Sequence, residues 1–164
     1  MTARAKRSLT HLDARGAVHM VDVAVKEITA RSATAEALVT MAKETRARLA
    51  RGDVKKGDAL AVVRIAAIQA AKRTPELIPL CHAIALTKVD VEIELVPRGA
   101  RIVTTARATD RTGVEMEALV AASAGALALY DMLKAIDRDI EFSVRLLAKS
   151  GGQSGDYRRR GARS

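Results

Sequence analysis

Aromatic side chains are almost missing from this 164-residue chain: Tyr130, Phe142 and Tyr157 are the only three, and there is no Trp. The core must therefore be aliphatic, and stacked aromatic platforms for single-stranded nucleic acid are not expected. Cysteine is limited to Cys81, which excludes an intrachain disulfide and removes any argument for an oxidising compartment. The short basic start runs into Ser8, Leu9, Thr10 and His11 rather than an apolar segment of signal-peptide length. No later run is expected to approach a membrane span. These absences predict a cytoplasmic protein without a membrane partner.

What is present suits one compact domain, with 49% hydrophobic residues built from Ala, Val, Leu and Ile. The net charge of +9 would raise nucleic acid as a partner, so its distribution matters. Arg4, Lys6 and Arg7 at the start, with Arg158, Arg159, Arg160 and Arg163 at the end, lie in stretches without acids. They leave 21 of the 28 basic residues against 19 acids in the body, which is close to neutral. A solvated basic start over 1–8, a single domain over 9–157 and a disordered Arg-rich tail over 158–164 are expected, with no nucleic-acid partner. No internal repeat, low-complexity tract or interdomain linker is visible.

Periodicity gives a coarse layout. Val21, Val23 and Val25 alternate with polar or small residues, which predicts a strand. A helix is expected next, capped by Ser32 or Thr34, carried by Leu38, Met41, Thr45 and Leu49, and stopped at Gly52. A second helix is predicted over 58–73, with Thr74 and Pro75 beyond it. Val89, Val91, Ile93 and Leu95 alternate with Lys88, Asp90, Glu92 and Glu94, a strand with one charged face in water. Pro97 to Ala100 turn it into a hairpin partner ending near Thr109. One long helix over 114–137 and a closing strand over 140–148 complete the order. The expected fold is α+β, a ferredoxin-like antiparallel sheet with helices on one face and an extra helix in the first crossover.

Several chemistries lack their motifs. There is no P-loop, no GxGxxG, no HExxH, no paired CxxC and no nucleophile elbow. Cys81 and His82 stand without further spaced ligands, so neither a metal nor a cofactor is expected. Three segments combine functional side chains with turns. In residues 68–82, Pro75 and Pro79 are expected to hold an extended apolar stretch that delivers Leu80, Cys81 and His82. Residues 112–117 open a helix with Glu115, Met116 and Glu117, where the helix dipole alone would favour carboxylates. Asp131 and Lys134 are three apart on one helix face, close enough to pair. Each has an ordinary structural meaning when taken alone. Residues 148–156 form a glycine-rich exit whose amides could approach an anion or simply lead to the tail.

Together these strings resemble the cyclic pyranopterin monophosphate synthase family, MoaC. The similarity runs from Leu9 to about Tyr157 through LTHLD, GAVHMVDV, KKGD, IQAAKRTPELIPLCH, TGVEMEAL, LYDMLKA and VRLLAKSGGQSGDYR. The resemblance implies a single catalytic domain and a lyase acting on a small nucleotide-derived substrate, (8S)-3',8-cyclo-7,8-dihydroguanosine 5'-triphosphate. The products would be cyclic pyranopterin monophosphate and diphosphate, in molybdenum cofactor biosynthesis. It further implies a homohexamer built as a trimer of dimers, with active sites at subunit interfaces. By the same resemblance Asp131, Lys134 and Lys56 are catalytic, and Leu80, Cys81, His82, Glu115, Met116 and Glu117 contact substrate. Lys72 and Lys149 join Lys56 and Lys134 as cations able to balance a triphosphate. Ala83 departs from the family, which commonly has Pro after the Cys-His pair.

Spacing adds a geometric expectation. Glu117 and Asp131 are fourteen residues apart, about 21 Å along a continuous helix and within roughly 40° of the same side. They cannot serve one reacting atom in one chain, but an antiparallel partner helix across a two-fold axis would bring one chain's Glu117 towards the other's Asp131. The competing readings are a ferredoxin-like RNA-binding module, which calls for aromatics on the exposed sheet face, and a non-catalytic assembly subunit.

Overall fold

A computed structural model describes residues 15–161; the expected basic start over 1–8 and residues 162–164 of the expected tail lie outside the described residues. The elements run β1 (Thr29–Thr40), α1 (Lys43–Arg51), α2 (Ala59–Lys72), α3 (Thr74–Leu77), β2 (Leu86–Val96), β3 (Gly99–Asp110), α4 (Glu115–Leu133), β4 (Glu141–Ser150) and β5 (Tyr157–Arg158). The strands form one sheet in the order β2-β3-β1-β4-β5, with every pairing antiparallel. This is the ferredoxin-like arrangement, with α2 and α4 packed together on one face and β5 added at an edge.

The first third of the chain departs from its periodicity. The helix expected to start at Ser32 or Thr34 is instead the central strand β1, and helix begins only at Lys43. The cause lies in packing. Ala33, Ala35 and Ala37, each no more than 1% exposed, present a flat inner surface on which α4 can sit, and sheet pairing on both sides overrides the weak strand preference of alanine. Residues 21–25, expected as a strand, form no ladder and pass through turns.

The other elements follow local signals. Asp58 caps α2 by accepting from the Ala61 N–H at 3.0 Å. The β2–β3 hairpin closes at the Val96–Gly99 pair, where a Cβ on Gly99 would stand 2.0 Å from the Val39 carbonyl oxygen, so the close approach of β1 demands glycine. The stretch after α2 is not extended as expected, because Thr74–Leu77 make one helical turn with Pro75 in its first turn.

Helix α4 buries Ala118, Ala121, Ala122, Gly125, Ala126 and Leu129. Its 19 residues are long and apolar enough to cross a membrane by length and composition, contrary to the expectation that no run approaches a span. Half of that stretch is buried inside the fold, as suits the central core helix of this domain. The tail boundary also meets structure, since Arg158 pairs with Ala148 in β5.

On the sheet face away from the helices, Glu36 is 2% exposed. It accepts from Arg101 Nε at 2.6 Å and Arg145 Nε at 2.5 Å. Burial pushes its pKa up, but those two guanidinium hydrogen bonds outweigh it and hold the carboxyl below its ordinary range.

Candidate active site

Two groups of the expected residues assemble, one at each end of α4. At its N-terminal end the first turn of α4, the segment leading to His82 and the turns of residues 21–26 enclose a cavity of about 400 Å³. Leu80, Cys81, His82, Glu115, Met116 and Glu117 all line it. Glu117 is 2% exposed and its Oε2 has no hydrogen-bond partner. Burial raises its pKa to about 7; its own backbone N–H opposes that rise, and the negative charge of Glu115 adds to it. Burial also pushes the Cys81 thiol up, with the Glu117 charge behind it. His82 Nε2 lies 2.8 Å from the Val21 carbonyl oxygen. A carbonyl only accepts, so Nε2 carries the proton and a neutral ring keeps Nδ1 as its acceptor.

A second cavity of about 260 Å³ adjoins the first and shares Lys26, Thr112, Gly113 and Glu115 with it. Lys26, Arg31, Arg111 and Lys149 bring four cations to its wall against the single carboxylate of Glu115. Lys149 reaches this wall through a bulge. Leu147 is the extra residue between the Ala35–Leu146 and Thr34–Ala148 pairs, so Lys149 falls opposite Ala33 on the helix side of the sheet. Its Nζ lies 3.6 Å from Glu115 Oε1 and donates to the Ser154 hydroxyl. Gly152 has a φ of +80°, and a Cβ there would stand 2.0 Å from Arg31 Nη1; glycine is what lets this loop close over the arginine. Sequence reasoning missed Lys26, Arg31 and Arg111, which no local pattern marks. Lys72 ends α2 exposed and lines neither cavity.

At the C-terminal end of α4, Asp131 sits between two ammonium groups. Lys56 Nζ donates to Asp131 Oδ2 at 2.9 Å and to its carbonyl oxygen at 2.6 Å, and Lys134 Nζ lies 2.7 Å from Asp131 Oδ1. The hydrogen bonds from Lys134 and then Lys56 hold Asp131 down at a pKa of about 2. Asp131 in turn raises the pKa of Lys134. Pairing therefore outweighs desolvation here, because all three groups are open to solvent. The trio carries a net positive charge and holds two ammonium donors ready for an anion. Helix α4 runs unbroken through both Glu117 and Asp131, which separates them by about 21 Å.

The sequence pattern of the MoaC family matches residues 20–152. The chain is also similar to a protein of Streptomyces griseus subsp. griseus named cyclic pyranopterin monophosphate synthase, with 51% identity over 152 residues, covering 92% of this chain and 86% of that one.

Proposed function

Because the chain belongs to the MoaC family, we propose that it is a lyase of molybdenum cofactor biosynthesis. It converts (8S)-3',8-cyclo-7,8-dihydroguanosine 5'-triphosphate to cyclic pyranopterin monophosphate and diphosphate. The observation that carries this reading is the charge layout around α4. A half-enclosed cavity with a neutral-to-anionic carboxyl suits a purine remnant, and it opens into a cavity walled by four cations that suits a triphosphate. As the ribose hydroxyl attacks the α-phosphorus, the bond to diphosphate breaks and negative charge grows on the leaving oxygens. Fixed cations such as Lys149 and Arg31 stabilise that growth. Glu117, poised near neutrality, and His82 can exchange protons with ring nitrogens as the purine opens and recloses as a pterin.

Asp131, Lys134 and Lys56 complete the catalytic set from a second chain. The two ends of one α4 cannot meet on one substrate, whereas an antiparallel α4 across a two-fold axis brings them together. The reading therefore includes active sites at subunit interfaces, a homohexamer built as three dimers, and work in the cytoplasm. An RNA-binding role finds less support, since the outer face of β2 carries Lys88, Asp90, Glu92 and Glu94 and no aromatic on which a base could stack. Purified protein incubated with the cyclised triphosphate should release diphosphate and a pterin in equal amounts, measured by chromatography with mass detection. Intact substrate after prolonged incubation would overturn the assignment.

A further inference from the structure

Residues 21–26 form a wall of the larger cavity through Val21, Val23 and Lys26, yet they pair with no strand. Val25 is 92% exposed and flanking Met20 and Ile28 are 52% and 59% exposed, so apolar burial of the strap is confined to half-buried Val21 and Val23. Local turns shape the strap: the Ala24 N–H donates to Asp22 Oδ1 at 2.8 Å, and the Lys26 N–H donates to the Val23 carbonyl at 3.0 Å. Such bonds stiffen a segment without attaching it to anything.

Attachment comes from the body. His82 holds the Val21 carbonyl at 2.8 Å, and Arg111 Nη1 donates to the Ala24 carbonyl at 2.7 Å. Arg111 is itself fixed at its backbone. Its N–H donates to Asp110 Oδ1 at 2.6 Å, while Arg31, rooted in the central strand, donates to the carbonyl oxygens of Asp110 and Arg111 at 3.0 and 3.1 Å. A continuous set of bonds thus runs from β1 through Arg31 and Arg111 to the strap, and from the strap to His82.

We propose that Arg111 is a positioning residue that clamps the strap of residues 21–26 as the outer wall of the substrate pocket, and that this clamp sets substrate affinity. The clamp itself stands on geometry alone, whereas its effect on affinity rests on the function proposed above. Losing it frees the strap to open locally while the sheet and α4 stay folded. An open strap releases the Val21 carbonyl from His82 and removes Val23 and Lys26 from the wall, so binding suffers more than the chemical step.

The test compares wild type with Arg111→Met, Arg111→Lys and Asp22→Ala. Asp22→Ala loosens the strap's own turn and keeps Arg31, Arg111 and Lys149 in the wall of the neighbouring cavity. In the protein without substrate, hydrogen exchange at the Ala24 and Lys26 amides should quicken about tenfold or more in Arg111→Met and Asp22→Ala. Amides of β3 and α4 should keep their wild-type protection. KM for the cyclised triphosphate should rise about fivefold or more in both, with kcat within about twofold in Asp22→Ala, and Arg111→Lys should recover part of the effect of Arg111→Met. Wild-type exchange at the strap in Arg111→Met would overturn the proposal, and a raised KM beside it would mean only a lost cation. Faster exchange with an unchanged KM would also overturn it, because the strap would then be no substrate wall. A wild-type protein that releases no diphosphate would instead defeat the proposed function, with the exchange measurement still deciding the clamp.

Discussion

The two ends of α4 carry carboxylates of the same chemistry in opposite states. Glu117 in the first turn is 2% exposed with one oxygen unpartnered, and its pKa rises to about 7. Asp131 near the last turn is open to solvent between two lysines, and its pKa falls to about 2. Burial withholds the water that stabilises a charge, while adjacent ammonium groups supply a substitute for it. One helix thereby offers a group that can give up or take a proton near neutral pH and another that stays ionised. Groups driven apart in this way are what acid and base roles require.

Breaking the ionised end should have the largest effect. Asp131→Asn, Lys134→Ala and Lys56→Ala are each expected to lower turnover by about 10²-fold or more with the fold retained, as measured by diphosphate release and thermal melting. Near-normal turnover in any of them would remove that residue from the chemistry. If the two ends meet only between chains, mixing Glu117→Ala with Lys134→Ala subunits should rebuild intact pockets. By two-fold symmetry random pairing restores about a quarter of normal activity. No recovery despite proven subunit exchange would place both residues in one chain's pocket.

The buried end can be sharpened through pH. A carboxyl whose folded pKa is raised binds its proton more tightly when folded, so its stabilising effect is complete below the ordinary carboxylate range. That effect is lost as pH rises through the folded value of about 7. Melting curves should show wild type losing at most about 3 kcal/mol over this window and Glu117→Gln losing less. The kcat/KM profile should likewise lose an ionisation near neutrality in Glu117→Gln; an unchanged profile would assign that ionisation elsewhere. Smallest of all, truncation after Arg159, which keeps β5 and the Arg159 N–H bond to the Leu147 carbonyl, should leave turnover within a few-fold. A collapse would mean the last residues reach substrate.

The parts of the fold legible beforehand are those where one face is strongly apolar and the other charged. In β2 the alternation of Val89, Val91, Ile93 and Leu95 with charges has one solution, and Asp58 marks the start of α2 by its own hydrogen bond. The central strand β1 was misread because its inner face is alanine, which packs in strand or helix with little preference. Three alternating valines in residues 21–25 fit a strand by pattern, yet the segment passes through turns and leaves Val25 in solvent.

The candidate site divides along the same line. All six residues expected around the N-terminal end of α4 line one cavity, and the three expected at its other end are bonded together. Nothing local marks Arg31 or Arg111, which come to Lys149 only when β1, β3 and β4 align.

The sequence by itself determined the β2–β3 hairpin, the helices α2 and α4, the aliphatic core and the residue types able to handle protons and phosphate, because these depend on neighbours a few positions away. Tertiary structure alone decided that Glu117 would be buried and Asp131 paired, that Leu147 would bulge to turn Lys149 inward, and that Arg111 would grip the strap. Each of these depends on which distant groups exclude water or supply a charge, and chain folding sets that through contacts between residues many positions apart.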